Sequence, residues 1–237
     1  MTCFQAHAQP DANKLVQTAI DYWRDSSSYT EATMKIHRSD WQREMSFKAW
    51  TKGRDSTLVR FTAPAKDAGN ASLTLKNNMW SYTPKINKLI KIPPSMMAQS
   101  WMGSDLSYQD LSKADDIIEY YDHVIIEEYK EEDHIVYVVE STPHETAPVV
   151  WGKEIIKIRD DYIMLEHEFF DQEMQLVKIL KAHEITSTGS KLYARKMRMT
   201  KLENSEEWTE IINDKVEFGI KLPEYIFTLS NLRNPRK

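Results

Sequence analysis

Residues 29–49, YTEATMKIHRSDWQREMSFKA, repeat with a period of two and decide the fold. Each of two successive runs places mostly apolar side chains at every second position and polar side chains between them. The members of the repeating set are Thr30, Ala32, Met34 and Ile36 in the first run, and Trp41, Arg43, Met45, Phe47 and Ala49 in the second. In a β-strand such side chains share one face. The stretch therefore predicts two strands, each with one polar face in water.

Similar short runs continue along the rest of the chain. Strands are predicted near 57–62, 72–76, 79–83 and 85–92, as hairpins at 123–130/134–141 and 152–159/162–171, and as longer runs up to residue 213. Many short strands without helices between them indicate an antiparallel meander. We expect a mainly β protein with one wide sheet of about eleven or twelve strands, which must curl or close because strand twist accumulates.

Helical spacing is clearest in residues 11–25. Asp11 is a suitable N-cap, and one apolar stripe follows it: Ala12, Leu15, Val16, Ala19, Ile20 and Trp23. This helix is predicted to cover the sheet. Residues 223–232 predict a closing helical turn near the other end of the chain.

Composition limits the classes of protein that fit. The chain has 237 residues, of which 41% are hydrophobic and 28% charged, with a formal net charge of -5. That length and composition suit one large β domain. The acidic balance argues against nucleic acid as a partner, since phosphate binding needs a basic face. No run of about 18 apolar residues predicts a membrane span.

The first residues predict export. Ala6-His7-Ala8 has the small-x-small form of a signal-peptidase site. We therefore interpret residues 1–8 as the remnant of a signal peptide and residues 9–237 as a single domain. Cleavage after Ala8 would remove Cys3, the one cysteine, so no disulfide framework is expected.

Motifs for catalysis are missing from the sequence. The six glycines are too scattered for a phosphate-binding loop, and no G-x-S-x-G elbow surrounds a serine. His167 stands between Glu166 and Glu168, but those two side chains would point to the other face of a strand, which favours exposed strand charge over a metal site. A hydrolase would need Ser104 or an acid to meet a histidine in a pocket. We expect no enzyme, metal or cofactor.

The stretch 80–111, WSYTPKINKLIKIPPSMMAQSWMGSDLSYQDL, combines large apolar side chains with strong breaks. Pro93-Pro94 ends a strand-like alternation, and Ser95 can cap a short helix over 95–102 that Gly103 closes. A helix of about two turns is marginal in water and must lie against an apolar surface. Its methionines suit irregular or variable apolar partners.

Several motifs within residues 50–111 resemble those of the LolA-like outer-membrane lipoprotein-sorting proteins, in a branch longer than the best-known carrier of the LolA/LolB superfamily. The resembling runs are Trp50-Thr51-Lys52-Gly53-Arg54-Asp55-Ser56, residues 59–67 (VRFTAPAKD), Leu73, Trp80-Ser81-Tyr82-Thr83-Pro84, Ile90-Lys91-Ile92-Pro93 and residues 101–111 (WMGSDLSYQDL). Strand order and length extend the resemblance over the whole mature chain.

The resemblance implies an unclosed β-barrel covered by helices, with an apolar cavity that shields lipoprotein acyl chains. It further implies a carrier in the periplasm of a Gram-negative bacterium, loaded by an inner-membrane transporter and unloaded at an outer-membrane acceptor. Arg43 and Arg60 are candidates for the arginine that the family places at the cavity mouth. An alternative function on the same scaffold is a periplasmic sensor that binds a lipid signal and modulates a partner protein, with the acidic region 115–133 as its first suspected contact.

The candidate ligand-binding residues are large apolar side chains of the first strands and of the 80–111 stretch. They are Met34, Met45, Phe47, Val59, Phe61, Trp80, Tyr82, Ile90, Ile92, Met96, Met97, Trp101 and Met102. In this interpretation the 95–102 segment is a gate over the cavity. Equally compatible with the residue types is a permanent plug made of Met96, Met97, Trp101 and Met102.

Overall fold

A computed structural model of the protein describes residues 9–113 and 115–236. The helices are α1 (Ala12–Arg24), α2 (Tyr108–Ser112), α3 (Asp116–Tyr120) and α4 (Leu229–Arg233). The strands are β1 (Ser27–His37), β2 (Gln42–Lys52), β3 (Ser56–Ala63), β4 (Ala71–Leu75), β5 (Asn78–Thr83), β6 (Lys88–Lys91), β7 (Tyr121–Glu131), β8 (His134–Pro143), β9 (Lys153–Arg159), β10 (Met164–Phe170), β11 (Leu176–Thr188), β12 (Lys191–Lys201) and β13 (Trp208–Phe218). The predicted signal-peptide remnant, residues 1–8, lies outside the described residues.

All of these strands form one antiparallel sheet in the order β6-β5-β4-β3-β2-β1-β13-β12-β11-β10-β9-β8-β7. Two meanders, β1 to β6 and β7 to β13, join where β1 pairs with β13. β6 and β7 are the free edges, so the sheet is not closed within the described residues. The predicted mainly β fold and unclosed sheet are confirmed. The sheet has thirteen strands rather than the expected eleven or twelve, and the short runs predicted near 72–76, 79–83 and 85–92 each pair as a separate strand.

The N-terminal helix forms as predicted. The Asp11 carboxylate accepts a hydrogen bond from the Lys14 amide at 2.8 Å, which satisfies one of the free amides at the helix start. Its apolar stripe packs on the β7–β9 part of the sheet and on α3, in a cluster that includes Leu15, Val16, Ala19, Ile20, Ile117, Val139, Ile156 and Ile158. The helix therefore covers the inner face of the sheet at β7 to β9.

The inward side chains of β1 and β2 pack on another part of the inner face. Met34 pairs with Met45, and Ala32 pairs with Phe47, so these side chains share a face. They belong to a buried cluster with Phe61 and Trp101. The period of two in residues 29–49 therefore identifies the side chains that face the inside of the sheet.

Residues 92–113 and 115–120 lie between the two edge strands in the chain, and Trp101, Leu106 and Ile117 pack against the inner face of the sheet. The helix predicted over 95–102 is wrong: only Pro94–Met96 forms a 3-10 turn. Met102 and Gly103 then adopt left-handed conformations, with φ of 56° and 79°, which a right-handed helix cannot include. Ser100 instead forms a β-bridge with Ser107. We call residues 98–107 the Trp101 loop.

Trp101 plugs the inner face at the centre of this loop. Its side chain is 1% exposed, and its ring lies 5.2 Å from the ring of Phe61 and 6.3 Å from that of Phe47, measured between centroids. The indole N–H donates to the Ser72 hydroxyl at 3.1 Å, so the polar atom of this buried ring is satisfied. The plug is fixed in both position and orientation.

A buried polar network ties the Trp101 loop to the sheet. The Arg38 guanidinium donates to both carboxylate oxygens of Asp105, at 2.9 and 3.1 Å. The Thr209 hydroxyl donates to Asp105 at 2.7 Å and accepts from the Asp105 amide at 2.9 Å. Arg38 follows β1 and Thr209 lies in β13. One aspartate therefore connects the loop to both of the strands at which the two meanders join.

The outer face of β3 to β5 is covered by the last segment of the chain. The predicted closing turn forms as a 3-10 turn, Glu224–Phe227, followed by α4. Phe227 and Leu232 pack there against Leu58, Leu73 and Tyr82. β3 and its neighbours are therefore apolar on both faces. Among the described helices, none is long and apolar enough to cross a membrane.

We predict that the Asp105 network carries a large part of the stability of the loop. Replacing Asp105 by Ala leaves the mostly buried Arg38 guanidinium without its bidentate partner and should lower the free energy of unfolding by about 3 kcal/mol. Asp105→Asn should lose less, since its amide oxygen can still accept from Arg38. Urea unfolding followed by tryptophan fluorescence measures both effects.

The control is Glu44→Ala, which removes an exposed ion pair with Lys35. Such pairs contribute at most about 1 kcal/mol. Equal losses for Asp105→Ala and Glu44→Ala would contradict the role given to the network.

Candidate functional site

A cavity of about 310 Å³ lies between the inner face of the sheet and the segments that cover it. Its wall comes from four sources: α1, residues between 101 and 117, Val149 and Trp151 of the loop between β8 and β9, and strands from both meanders. The strand residues at the wall are Ser28, Thr30, Phe47, Ala49, Thr51, Thr57, Val59, Tyr121, Glu154, Ile156, Met164, His167, Phe169, Leu180, Tyr193, Ala194, Met197, Met199, Thr209, Ile211, Asn213, Val216 and Phe218. This volume is at the low end of the range for small-molecule sites.

One side of the cavity is largely apolar. Ala49 of β2 and Val59 of β3 face it from one meander, and Met197 of β12 with Ile211 and Val216 of β13 face it from the other. These positions follow from alternation, because each lies on the inward row of its strand. The arrangement can accept a hydrocarbon group and exclude water from it.

The structure brings three of the sequence-predicted site residues to the cavity: Phe47, Val59 and Trp101. Met34, Met45 and Phe61 lie in the same buried cluster as these residues but do not reach the cavity wall. All three are fully buried by neighbouring side chains. They support the wall from behind.

Seven other candidates lie elsewhere. Trp80 and Tyr82 are on the outer face, in the cluster covered by the last segment of the chain. Ile90 and Ile92 belong to β6 and the residue after it, and Met96 and Met97 are half-buried in the 3-10 turn that follows. Met102 packs against the Trp101 cluster without lining the cavity. Strand alternation could not place Trp80 and Tyr82, since both faces of β5 are covered.

Neither candidate arginine lines the cavity. Arg43 donates to Asp67 at 2.5 Å and reaches the Met102 carbonyl of the Trp101 loop at 3.4 Å. Arg60 lies on the outer face, where it donates to the carbonyls of Asn231 and Leu232 at the end of α4. Of the two, Arg43 contacts the loop that covers the inner face, and Arg60 contacts the segment that covers the outer face.

Most of the cavity wall was missed by the sequence analysis, which placed every candidate before residue 103. The missed residues include Ile20 and Trp23 of α1, and the inward rows of β9 to β13. Alternation in strands such as β12 was available as a signal. What the sequence could not supply was the pairing of β1 with β13, which brings the two inward rows around one space.

A histidine and a buried carboxylate face the cavity from β9 and β10. His167 Nε2 lies 2.5 Å from a Glu154 carboxylate oxygen, and the His167 ring stacks on Phe169 at 4.1 Å. Glu166 and Glu168 point to the opposite face and pair with Lys157, as the alternation predicted. The prediction that His167 itself is exposed strand charge is wrong, because the inner row of β10 faces the cavity.

Further charged groups stand beside this pair. The Lys113 ammonium lies 3.1 Å from Asp116, and the Arg24 guanidinium lies 2.9 Å from Asp115. Burial raises the pKa of Asp116 above its ordinary value, with Lys113 opposing this effect and the nearby Glu154 adding to it. Burial, with Glu154 close by, likewise raises the pKa of the Tyr121 hydroxyl. This side of the cavity is therefore polar and poorly hydrated.

A buried ion pair holds α2 against the sheet. The Lys178 ammonium donates to both oxygens of Asp110 at 2.7 Å, and the Lys178 side chain is 5% exposed. The same ammonium lies 4.8 Å from the ring centroids of Trp151 and Phe169. Asp110 also completes a capping box with Ser107 at the start of α2. Asp110 lines the cavity, so α2 forms part of its cover.

The nucleophile expected of a hydrolase is not found near the histidine. The Ser104 hydroxyl donates to the Trp101 carbonyl at 2.6 Å and is buried inside the Trp101 loop. An acid and a histidine do meet in the cavity, as Glu154 and His167. Within residues 9–113 and 115–236, no hydroxyl or thiol is hydrogen-bonded to His167, so a triad is not assembled there.

One group of side chains has the composition of a metal site, away from the cavity. Donor atoms of His134, Asp160 and Asp161 lie within 4.8 Å of one another near the surface. The Asp161 carboxylate, however, already accepts two hydrogen bonds from Arg159, at 2.9 and 2.5 Å. The group is therefore explained by pairing within the protein.

Comparisons with solved structures identify the fold. The chain is similar to a DUF1329 family protein from Desulfovibrio piger, with 24% identity and a TM-score of 0.85 over 94% of this chain and 100% of that chain. It is similar to a candidate outer-membrane lipoprotein-sorting protein domain from Vibrio parahaemolyticus, with 21% identity and a TM-score of 0.82 over 94% and 98% of the two chains. It is also similar to a LolA superfamily protein from Nitrosomonas europaea, with 17% identity and a TM-score of 0.76 over 93% and 98%.

Sequence comparison gives a family without an assigned activity. No functionally curated protein matches the chain. A family model described as "Uncharacterized protein" matches residues 53–234, which is most of the chain. The protein therefore belongs to this family of uncharacterized proteins and, as its sequence motifs predicted, it has the fold of the LolA superfamily.

Proposed function

We propose that the protein is a periplasmic carrier that shields the acyl chains of a lipid or lipoprotein during transport toward the outer membrane. In this proposal residues 9–237 act as a single carrier domain. The observation that carries the proposal is the apolar cavity enclosed by both meanders of a LolA-type sheet. Ala49, Val59, Ile211 and Val216 provide the surface against which a hydrocarbon chain would lie.

The energy of acyl burial explains why such a cavity is needed. Each methylene removed from water contributes about 0.8 kcal/mol, so a chain of about sixteen carbons needs an apolar cover worth on the order of 10 kcal/mol. The wall residues supply that cover inside a folded domain. The similar Vibrio parahaemolyticus domain carries a lipoprotein-sorting name, which fits the same chemistry.

Catalysis is not part of the proposal. His167 has a carboxylate partner but no nucleophile among the described residues, and Ser104 is bonded to backbone carbonyls. In the proposed cycle, an inner-membrane transporter loads the cavity and an outer-membrane acceptor empties it. Both partners would act on a carrier that binds cargo reversibly.

Release requires the cavity cover to move, and α2 is the part we propose moves. This helix has five residues, and it is held by its capping box, by Lys178 and by the packing of Tyr108 and Leu111 on the Trp101 cluster. The Trp101 loop, in contrast, is fixed by the Asp105 network and by the Trp101 plug. We therefore place the gate at α2 rather than in the 95–102 segment.

Filling the cavity should block acyl binding without unfolding the protein. Ala49→Trp adds a large apolar side chain to the inner row of β2, where open space is available. We expect the affinity for a fluorescent long-chain fatty acyl probe to fall at least about tenfold. Fluorescence titration of the purified protein measures this, and mass spectrometry of extracted lipid identifies any co-purified cargo.

The matched control is Lys48→Trp, which places the same side chain on the next residue and on the outer face. It should bind the probe like wild type. Equal binding by Ala49→Trp and wild type would overturn the carrier proposal. Absence of acyl uptake by wild type, together with retention of a partner protein, would favour the sensor alternative.

Breaking the Lys178 pair should loosen α2. Asp110→Asn leaves a buried ammonium without its compensating charge, an arrangement that costs about 3 kcal/mol. We expect faster hydrogen exchange at the amides of residues 108–112 and faster dissociation of the bound acyl probe. Hydrogen-exchange mass spectrometry and stopped-flow displacement measure the two effects.

Glu184→Gln is the control, since it removes a half-exposed ion pair with Arg195 on another part of the sheet. That change should leave α2 exchange and probe dissociation unaltered. Unchanged exchange in Asp110→Asn would contradict the assignment of α2 as the gate.

A further inference from the structure

The ionisable side chains of the cavity wall, apart from tyrosine, are concentrated on one side. Glu154 of β9, His167 of β10 and Asp116 of α3 face the space from there, while Ala49 and Val59 face it from across the sheet. A simple hydrocarbon would make no hydrogen bond with these charged groups. An amphiphile, in contrast, could place its tail on the apolar side and its head here.

Among the residues that the structure describes, an anionic head finds no lysine or arginine at this site without a carboxylate partner. The cationic side chains around the cavity already have carboxylate partners: Arg24 with Asp115, Lys113 with Asp116 and Lys178 with Asp110. A phosphate or carboxylate head would add a negative charge beside these internal carboxylates in a poorly hydrated site, which is unfavourable. The internal pairs thus disfavour negative charge on the ligand.

Glu154 is the cavity carboxylate that has a histidine rather than a lysine or arginine as its partner. It is buried, and His167 is the partner within hydrogen-bond distance among the described residues. A carboxylate has about four lone-pair sites, so it can accept further hydrogen bonds from a ligand. The Tyr121 hydroxyl, whose pKa Glu154 helps to raise, is close to the same carboxylate.

We infer that Glu154 and His167 form a head-group site that selects amphiphiles whose polar head donates hydrogen bonds, an ammonium or hydroxyl group, over amphiphiles with an anionic head. This inference rests on the proposed acyl-binding function and adds the chemistry of the head. The ligand head donates to the Glu154 carboxylate, and its tail follows the apolar wall. Charge-assisted hydrogen bonds of this kind are the strong ones in a dry site.

The test compares three probes that share one tail: dodecylamine, dodecanol and dodecanoic acid. Each competes at neutral pH with a bound environment-sensitive fluorescent probe, so that differences in affinity report the head alone. Wild type should bind the amine and the alcohol at least about tenfold more tightly than the acid. Preference for the acid, or equal binding of all three, overturns the inference.

Substitutions at Glu154 and at a control position test whether the preference for the amine and alcohol heads comes from this site. Glu154→Gln removes the charge but keeps an acceptor, so it should weaken dodecylamine by about tenfold and dodecanol much less. Glu168→Gln, on the outer face of the neighbouring strand, is the control and should keep the wild-type preference. An unchanged amine preference in a folded Glu154→Gln protein overturns the assignment.

The outcomes separate this inference from the proposed function. If affinity rises with tail length for all heads but shows no head preference, the carrier proposal stands and the head-group site fails. If no probe binds wild type, both fail. Because the wild-type comparison requires no substitution, the inference stays testable even if Glu154→Gln does not fold.

Discussion

The structure depends on one constraint: a wide sheet whose inner face is apolar and whose two edges do not meet within the described residues. The chain has to pass from edge strand β6 to edge strand β7, and residues 92–113 and 115–120 make that passage across the inner face. Because this segment covers apolar surface, it must carry apolar side chains and yet satisfy its own backbone. Trp101 meets the first need, and the Asp105 network and the capping box of α2 meet the second.

Two different kinds of cover follow from this passage. The Trp101 loop is held by a bidentate arginine, a threonine and a buried indole, so its position is set by several directional bonds. α2 is a single short helix with one buried ion pair to the sheet and two apolar side chains, Tyr108 and Leu111, on the Trp101 cluster. α1 packs mainly on the β7–β9 part of the sheet, and Trp101 packs on Phe47 and Phe61 and bonds to Ser72, in β2 to β4. The space between α1 and Trp101 is the cavity, and α2 lies beside it.

Sequence reasoning captured the features that depend on local spacing. Asp11 and the stripe behind it define α1, and the period of two in residues 29–49 defines β1, β2 and the inner row that contains Met34 and Phe47. It failed where a distant contact decides the outcome. Trp80 and Tyr82 look like wall residues until the last segment of the chain covers the outer face. His167 looks like surface charge until Glu154 meets it inside.

The 95–102 helix failed for a related reason. Ser95 and Gly103 are sound local signals, but Trp101 gains more from burial between Phe47 and Phe61 than a two-turn helix could offer, and the left-handed Met102 turns the chain to allow it. The LolA-like motifs, by contrast, indicated the fold correctly, because they lie in the strands and in the loop that define this architecture.

The pairing of β1 with β13 affects how the protein folds. These strands are far apart in sequence, and both line the cavity. Contacts of such long separation close large loops and tend to form late and slowly in folding. Each meander can form by local hairpin pairing, but the cavity has walls from both meanders. We therefore expect the cavity to form only when β1 pairs with β13, so that a chain whose two meanders have not joined has no enclosed space.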